Sequence, residues 1–403
     1  MEGLRTLDDI DVDGKTVIVR ADLNVPMKDL YMTDGLRIAR LTPTLRELLG
    51  RGAKIVLLSH FGRPDGKFDA KLSLRRVNEV LGAALNRPPL AFAEDCVGRD
   101  AEQAVAELEP GEILLCENLR FHAGEEDNDP AFAKALSRLG DIYVNEAFSC
   151  SHRAHASIEG ITHFLPAAAG RGMEEELKAL HRALDKPERP VAAIVGGSKV
   201  STKLAALTNL LDKVQVLIIG GGMANTFLHA QGVAVGKSLC EPDLADTARD
   251  VLAKAKRLGC TVVLPVDAIV APALKNGVAT RTVAIQAVPK DEMILDIGPK
   301  SVAEVLTLLE RCRTLVWNGP FGAFEIAPFD QGTTAIARDV AERTKQSKLL
   351  SVAGGGDTMA ALAKAGVDTK LSYVSAAGGA FLEWLEGRVL PGVEALLRQG
   401  QKA

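Results

Sequence analysis

Six cysteines in 403 residues form no framework. Cys96, Cys116, Cys150, Cys240, Cys260 and Cys312 are scattered, make no CxxC pair and mostly sit in apolar surroundings. That excludes a zinc-site spacing or a disulfide scaffold and leaves reduced thiols, the expectation for a cytoplasmic protein. Long hydrophobic runs are missing as well. None reaches the roughly 18 residues of a membrane-spanning helix. The opening stretch, MEGLRTLDDIDVDGK, is charged and has no signal-peptide core. Neither sign of charge dominates: the formal net charge is −4, which exerts no global pull toward nucleic acid or membrane. There is no low-complexity segment and no repeat of fixed period. Two nucleotide fingerprints are absent. No glycine cluster reads GxGxxG, and QGVAVGKS at 231–238 has Gln231 where a P-loop needs glycine.

What is present is ordinary in bulk and informative in order. Hydrophobic residues make up 47% and charged residues 25%, as in soluble globular proteins. The length is too great for one core, so two domains are expected. Short apolar runs recur: KTVIV, KIVLL, EILL, DIYV, then VAAIV, VQVLII, TVVLP, EMILDI, TLVW, LLSVA and LSYVS. Between most of them lie stretches with helical spacing, such as Leu45, Leu48 and Leu49, or MEEELKALHRALD at 173–185. Strand and helix alternating in this way predict parallel sheets covered by helices, with right-handed crossovers.

The sharpest break is KPERP at 186–190, where a helical segment meets two prolines and a new strand starts at Val191. Proline ends helices and biases its predecessor to extended backbone. The reading is a first domain over 1–185 and a second beginning at 186. The four earlier runs then build one sheet and the seven later runs another.

Ligands of open α/β sheets gather beyond the carboxyl ends of the strands. In the first half those exits are basic. They bring Arg20, Asp22 and Asn24 in RADLNVP, His60 and Arg63 in SHFGRP, Arg120 and His122 in CENLRFH, and His152, Arg153 and His155 in NEAFSCSHRAH, with Arg37 nearby in TDGLRI. Guanidinium forks suit phosphate and carboxylate oxygens, so the set reads as a pocket for a small, multiply charged anion. The competing reading makes each arginine a surface partner of Asp22, Glu117 or Glu146. HRAH lacks the cysteines or carboxylates that would turn it into a metal site.

In the second half the exits are glycine-rich. They carry Gly196, Gly197, Lys199 and Lys203 in GGSKVSTK, Gly220 to Gly222 in GGGMANTF, Asn318, Pro320 and Glu325 in NGPFGAFE, Gly354 to Gly356 with Asp357 and Thr358 in GGGDT, and Gly378 and Gly379 in AAGGAF. Bare amides at helix starts cradle phosphates, and an acid beside phosphates needs a cation between them. A nucleotide site with Mg²⁺ at Asp357 is the reading. Glycines that merely make tight turns explain one cluster well and five poorly.

RADLNVP, SHFGRP, ENLRFH, SHRAHAS, GGSKVSTK, DIGPKS, WNGPFGAFE, GGGDT and AAGGAFLEWLEG, in this order, resemble the phosphoglycerate kinase family over nearly the whole chain. The resemblance implies two Rossmann-like α/β domains, each a mainly parallel sheet flanked by helices, joined by a long helix and hinge. It adds a tail, 390–403, packed on the first domain, and leaves 186–389 as the second. It implies a glycolytic and gluconeogenic phosphotransferase, monomeric and cytoplasmic, that moves a phosphoryl group reversibly between 1,3-bisphosphoglycerate and ADP, giving 3-phosphoglycerate and ATP, with Mg²⁺. Carried over by position, Asp22, Leu23 and Asn24 hold the hydroxyl and carboxyl end of 3-phosphoglycerate. His60, Phe61, Gly62, Arg63, Arg120 and Arg153 belong to its phosphate, and Arg37 to its reacting carboxyl. Gly196, Gly220 and Gly221 wall the adenine, Lys199 and Lys203 reach the phosphates, and Glu325 the ribose. Asn318 and Pro320 line the nucleotide. Gly355, Gly356, Asp357 and Thr358 take phosphates and metal. Arg37, Lys203, Gly356 and Gly379 serve the transfer itself.

Three positions depart from the family's usual pattern: Glu146, where it has aspartate, Phe61, where it often has leucine, and Ile294, where many members have glycine. They touch the pocket's surroundings and the nucleotide wall. A nicotinamide-dependent dehydrogenase is disfavoured by the missing GxGxxG and the basic cluster. A non-catalytic nucleotide-binding protein on the same fold is disfavoured by Arg37, Lys203 and Asp357 standing together.

Overall fold

The computed structural model describes residues 3–28, 31–32 and 35–400, so the last three residues of the 390–403 tail lie outside it. The chain forms two compact units, Met1–Lys178 with Val389–Ala403, and Ala179–Arg388.

The first unit is built on a six-stranded parallel sheet. Its order across the sheet is Ala91–Ala93, Ile113–Cys116, Lys54–Leu58, Thr16–Arg20, Ile142–Asn145, Ala167–Ala169. Val17, Ile18 and Val19 have no exposed surface, as expected of a strand covered by helices on both faces. The four apolar runs are all here. Two alanine-rich strands, Ala91–Ala93 and Ala167–Ala169, extend the sheet to its edges without the β-branched signature that marks the others. The strand Thr16–Arg20 pairs with Lys54–Leu58 on one side and Ile142–Asn145 on the other. The chain order therefore reverses beside Arg20 and Asn145, and that crevice is the topological switch point of the sheet.

The second unit repeats the plan. Its parallel sheet runs Thr261–Val263, Val216–Ile219, Val191–Val195, Thr314–Asn318, Leu350–Gly354, Tyr373–Ser375. The reversal falls between Val191–Val195 and Thr314–Asn318. Only six of the seven later runs join this sheet. Met293–Ile297, from EMILDI, lies instead in a three-stranded antiparallel sheet beside Asp267–Ala271, which also pairs with Arg281–Ala284. An apolar run declares burial but not its pairing partner. Here Met293–Ile297 pairs antiparallel with Asp267–Ala271, and the pair shifts register between Ile269 and Val270.

The segment read as a long helix is α-helical over Arg171–Leu180 and continues as a π-turn over His181–Asp185. Met173, Leu177 and Leu180 form its buried stripe. Its first turn is capped by Glu146, which accepts from the N–H groups of Gly172 (3.1 Å) and Met173 (3.0 Å) and from the Thr44 hydroxyl. Burial pushes the Glu146 carboxyl up to about 7. The C-terminal helix Pro391–Gly400 packs in the first unit, where Gly392 N–H donates to the Ser151 carbonyl (2.9 Å) and Arg398 pairs with Glu159 (2.6 Å).

Candidate active site

Arg37, Arg120 and His60 of the first unit meet at its switch point. Beyond Arg20 the chain turns at Asp22, and Asn24 N–H donates to Asp22 Oδ1 (3.0 Å). Arg37, in the first turn of the helix Leu36–Gly50, places Nη1 3.0 Å from Asp22 Oδ1 and 2.6 Å from the Asn24 carbonyl. Across the crevice, the Ser149 hydroxyl closes on the other Asp22 oxygen. Leu23 N–H is held by Ser59 Oγ (2.8 Å), and Gly62 N–H by Asn24 Oδ1 (2.9 Å). Arg120 Nη1 donates to the Gly62 carbonyl (3.0 Å), and its Nε faces Glu126 at 3.3 Å. Asn118 ties two exits together by bonding both the N–H and the carbonyl of Phe61. Phe61 is therefore a buried prop of the loop. Arg63 and Arg153 are exposed, Arg153 within 3.3 Å of His152.

The alternative partners divide. Asp22 does pair with Arg37. Glu117 instead accepts from Ser73 Oγ (2.6 Å) and Leu74 N–H (2.9 Å), and Glu146 caps the helix already described. Burial holds His60 well below the ordinary histidine value, and Arg20, Arg120, Arg37 and His155 press in the same direction. His155 is lowered to about 3 by burial and by Arg20, Arg120, Arg153 and His152. Both rings are neutral at pH 7, so the positive charge of the pocket is carried by guanidinium groups.

The second unit's switch point is lined by backbone. Gly196 lies so close to the Pro320 carbonyl that a Cβ there would collide with it. Gly221 N–H donates to the Phe321 carbonyl (2.9 Å), and Phe321 also crowds Gly220. Lys203 Nζ spans the crevice, donating to the carbonyls of Gly196 (2.6 Å) and Asn318 (3.1 Å). Burial lowers its pKa to about 8, with the charge of Asp357 opposing. Asn318 Nδ2 donates to the Gly354 carbonyl (2.7 Å), and Gly319 N–H to Thr358 Oγ1 (2.7 Å). Asn318 Oδ1 is buried without a hydrogen-bond partner. Gly355 adopts φ +99°, a conformation that favours glycine. It turns the chain into the helix Gly356–Ala365. Asp357 is exposed in the first turn of that helix, and a Cβ at Gly356 would meet nothing within 4 Å.

Eight of the predicted residues here, Gly196, Lys203, Asn318, Pro320, Gly355, Gly356, Asp357 and Thr358, thus form one connected patch. Gly220 and Gly221 border it through Phe321. Gly378 and Gly379 open the short helix Gly379–Leu385 at the exit of the last strand. Lys199 and Glu325 are exposed on loops. Ile294 packs against the small cluster of Leu228, Val235, Ala268 and Val270, and its N–H donates to Ser238 Oγ (2.8 Å).

Sequence reasoning missed Ser59, Asn118, Ser149, Glu125 and Ser157. Asn118 stands inside the quoted ENLRFH, where an Asn after a strand could have been read as a loop clamp. A separate trio, Asp95, Cys96 and His122, brings O, S and N atoms within 4.8 Å of one another. Its donors already satisfy each other: His122 Nε2 is 2.7 Å from Asp95 Oδ1, and burial with nearby negative charge keeps the Cys96 thiol protonated.

A family model described as phosphoglycerate kinase matches residues 7–388. A phosphoglycerate kinase from Methylobacterium radiotolerans is 60% identical over 401 residues, covering 99% of this chain and all of that protein. One from Rhodospirillum centenum is 59% identical over 392 residues, covering 97% and 99%. Among solved structures, phosphoglycerate kinase from Coxiella burnetii superposes with TM-score 0.91 at 43% identity, covering 98% of this chain and 100% of that one. The Pyrococcus horikoshii enzyme gives 0.83 at 30% identity, covering 99% and 100%. With two α/β units, a guanidinium-lined crevice in one and an amide-lined crevice in the other, the chain belongs to the phosphoglycerate kinase family.

Proposed function

We propose that the guanidinium-lined crevice takes 3-phosphoglycerate or 1,3-bisphosphoglycerate and that the amide-lined crevice takes ADP or ATP. The reaction is the family's reversible phosphoryl transfer, with a carboxyl group as acceptor. The observation that carries the assignment is the opposite chemistry of the two switch points. One brings Arg37 and Arg120 around His60, with Arg63 and Arg153 exposed on its strand-exit loops. The other offers Gly196, Gly220, Gly221, Gly355 and Gly356, where close backbone suits a nucleotide.

In this reading Asp22 and Asn24 hold the hydroxyl and carboxyl end, while His60, Arg63, Arg120 and Arg153 hold the phosphate. The accepting carboxylate is already ionised at pH 7, so no general base is required. The demand is charge neutralisation as the phosphoryl group passes in line between two anions. Arg37 supplies it from one side and Lys203 from the other. Preorganised donors of this kind are worth about 3–4 kcal/mol each in the transition state. Lys203 has three N–H donors and commits two to carbonyls, which aims the third.

Asp357 fits a magnesium ligand: it is an exposed carboxylate at a helix start, a hard oxygen donor beside the phosphate subsite. When bound, Mg²⁺ neutralises charge on the nucleotide phosphates. Glu325 remains the proposed ribose contact, and Lys199 a phosphate contact.

The two reactants bind to different units, so transfer requires the units to approach and exclude water; otherwise ATP would be hydrolysed. The π-turn His181–Asp185, next to the division between Lys178 and Ala179, supports a hinge within 173–190. A monomeric cytoplasmic enzyme, without nucleic-acid or membrane partners, completes the proposal. No described helix is long and apolar enough to cross a membrane. A coupled assay with 3-phosphoglycerate and Mg-ATP tests the reading: turnover is expected, and nucleotide binding without turnover would favour the non-catalytic alternative.

A further inference from the structure

Beneath the basic crevice lies a buried polar chain with no direct part in the transfer. Arg20 has no exposed surface, and a guanidinium can only donate. Its Nε–H donates to Ser157 Oγ (2.7 Å), its Nη1 to the Ala21 carbonyl, and its Nη2 stands 3.3 Å from His60 Nδ1. The Ser157 hydroxyl, accepting from Arg20, donates its own hydrogen bond to Glu125 Oε1 (2.6 Å), while Ser157 N–H donates to Glu125 Oε2 (2.9 Å). Glu125 is likewise fully buried, with Oε1 4.0 Å from Arg20 Nη2. Every bond therefore has one direction, from guanidinium to hydroxyl to carboxylate. At the other end, a donor facing Nδ1 leaves the His60 ring one neutral assignment. Nδ1 accepts, and the proton sits on Nε2.

We infer that Glu125, acting through Ser157 and Arg20, is a positioning residue that fixes His60 as its Nε2–H tautomer, so that the ring meets the substrate phosphate as a hydrogen-bond donor without charge. This rests on the reading that the crevice takes 3-phosphoglycerate. The groups around the ring favour the neutral state. Arg20, Arg37 and Arg120 act on it as cations, and His155 stands nearby. Cys150 Sγ lies 4.0 Å from Nδ1, and a carboxylate oxygen of Asp22 is within 4.8 Å of a ring nitrogen. Removing Glu125 or Ser157 frees the guanidinium to turn, and the ring then samples the Nδ1–H form, which offers substrate a lone pair where it needs a donor.

The test is ¹⁵N–¹H correlation spectroscopy of the histidine-labelled full chain without ligand, with His60 assigned by comparison with His60→Gln. The expected pattern is neutral and Nε2-protonated from about pH 6 to 8. A cationic or Nδ1–H ring in the wild type overturns the proposal. In Glu125→Gln the His60 signals should move toward a tautomer mixture. The KM for 3-phosphoglycerate should rise about tenfold, with kcat within about twofold. Ser157→Ala cuts the same link with a smaller change and serves where Glu125→Gln does not fold. An unchanged tautomer and KM in the folded variant overturns the role of Glu125. If the wild-type tautomer is as expected but saturating 3-phosphoglycerate leaves the His60 nitrogens unmoved, the substrate assignment fails, and the proposal with it.

Discussion

Arg37 Nη1 lies 3.0 Å from each carboxylate oxygen of Asp22. The arginine proposed to meet the reacting carboxyl is thus held by a carboxylate that is itself fixed by Asn24 and Ser149. Its orientation is set before substrate arrives. Binding of the distant phosphate falls to other residues, so Arg37→Ala should remove mainly a transition-state interaction. Expected is a loss of about 10²–10³ in kcat and a change of only a few-fold in the KM for 3-phosphoglycerate. A loss confined to KM would assign Arg37 to ground-state binding instead.

Lys203 titrates near the working range. Burial lowers its pKa to about 8, below the ordinary lysine value of 10.5. Its ammonium is needed in the transfer, so the kcat/KM for nucleotide should fall as pH rises through about 8. The stability effect has the opposite sign. Between about 8 and 10.5 the unfolded chain holds this proton and the folded chain does not, so the Lys203 contribution to stability rises with pH. Comparing Lys203→Met with wild type isolates both effects. A flat kcat/KM profile to pH 9 in the wild type would contradict the assignment.

Two glycines in the second crevice should behave differently. A Cβ on Gly196 would run into the Pro320 carbonyl and come 2.9 Å from Gly319 atoms, all of them backbone. Gly196→Ala should destabilise the protein by about 1–3 kcal/mol, read by denaturant unfolding. A Cβ on Gly356 would meet no protein atom within 4 Å. Gly356→Ala should leave the unfolding midpoint unchanged and weaken nucleotide binding, because the space is reserved for a phosphate. Equal destabilisation by the two variants would contradict this.

Much of this architecture could be read from residue order, for a physical reason. A buried parallel strand needs an uninterrupted apolar run, so KTVIV or VAAIV stands out, and its ligand-facing exit follows at once. Ala91–Ala93 and Ala167–Ala169 were not legible because alanine fits helix and strand alike. The partner of EMILDI was not legible because pairing depends on which edge is free in space. In the site, residues at strand exits were visible, whereas Glu125 sits in GEEDND, which reads as a solvated acidic turn. Only folding brings Ser157 against Arg20, 137 positions away. Glu146 belongs to the same class: its role as a cap on the helix starting at Arg171 follows from packing, not from its neighbours in sequence.

Asp357 is exposed, so its replacement should not disturb the fold. Asp357→Ala should abolish Mg²⁺-dependent turnover while leaving the unfolding midpoint and 3-phosphoglycerate affinity unchanged. A magnesium dependence identical to that of the wild type would exclude this carboxylate as the ligand.

The central claim is that two chemically opposite crevices each hold one reactant. Calorimetric titration of 3-phosphoglycerate and of Mg-ADP into Arg153→Ala and into Gly356→Ala tests it most directly. The account predicts a crossed pattern: Arg153→Ala loses affinity for 3-phosphoglycerate alone, and Gly356→Ala for the nucleotide alone. Loss of both ligands in either variant, or loss of the wrong one, would contradict it.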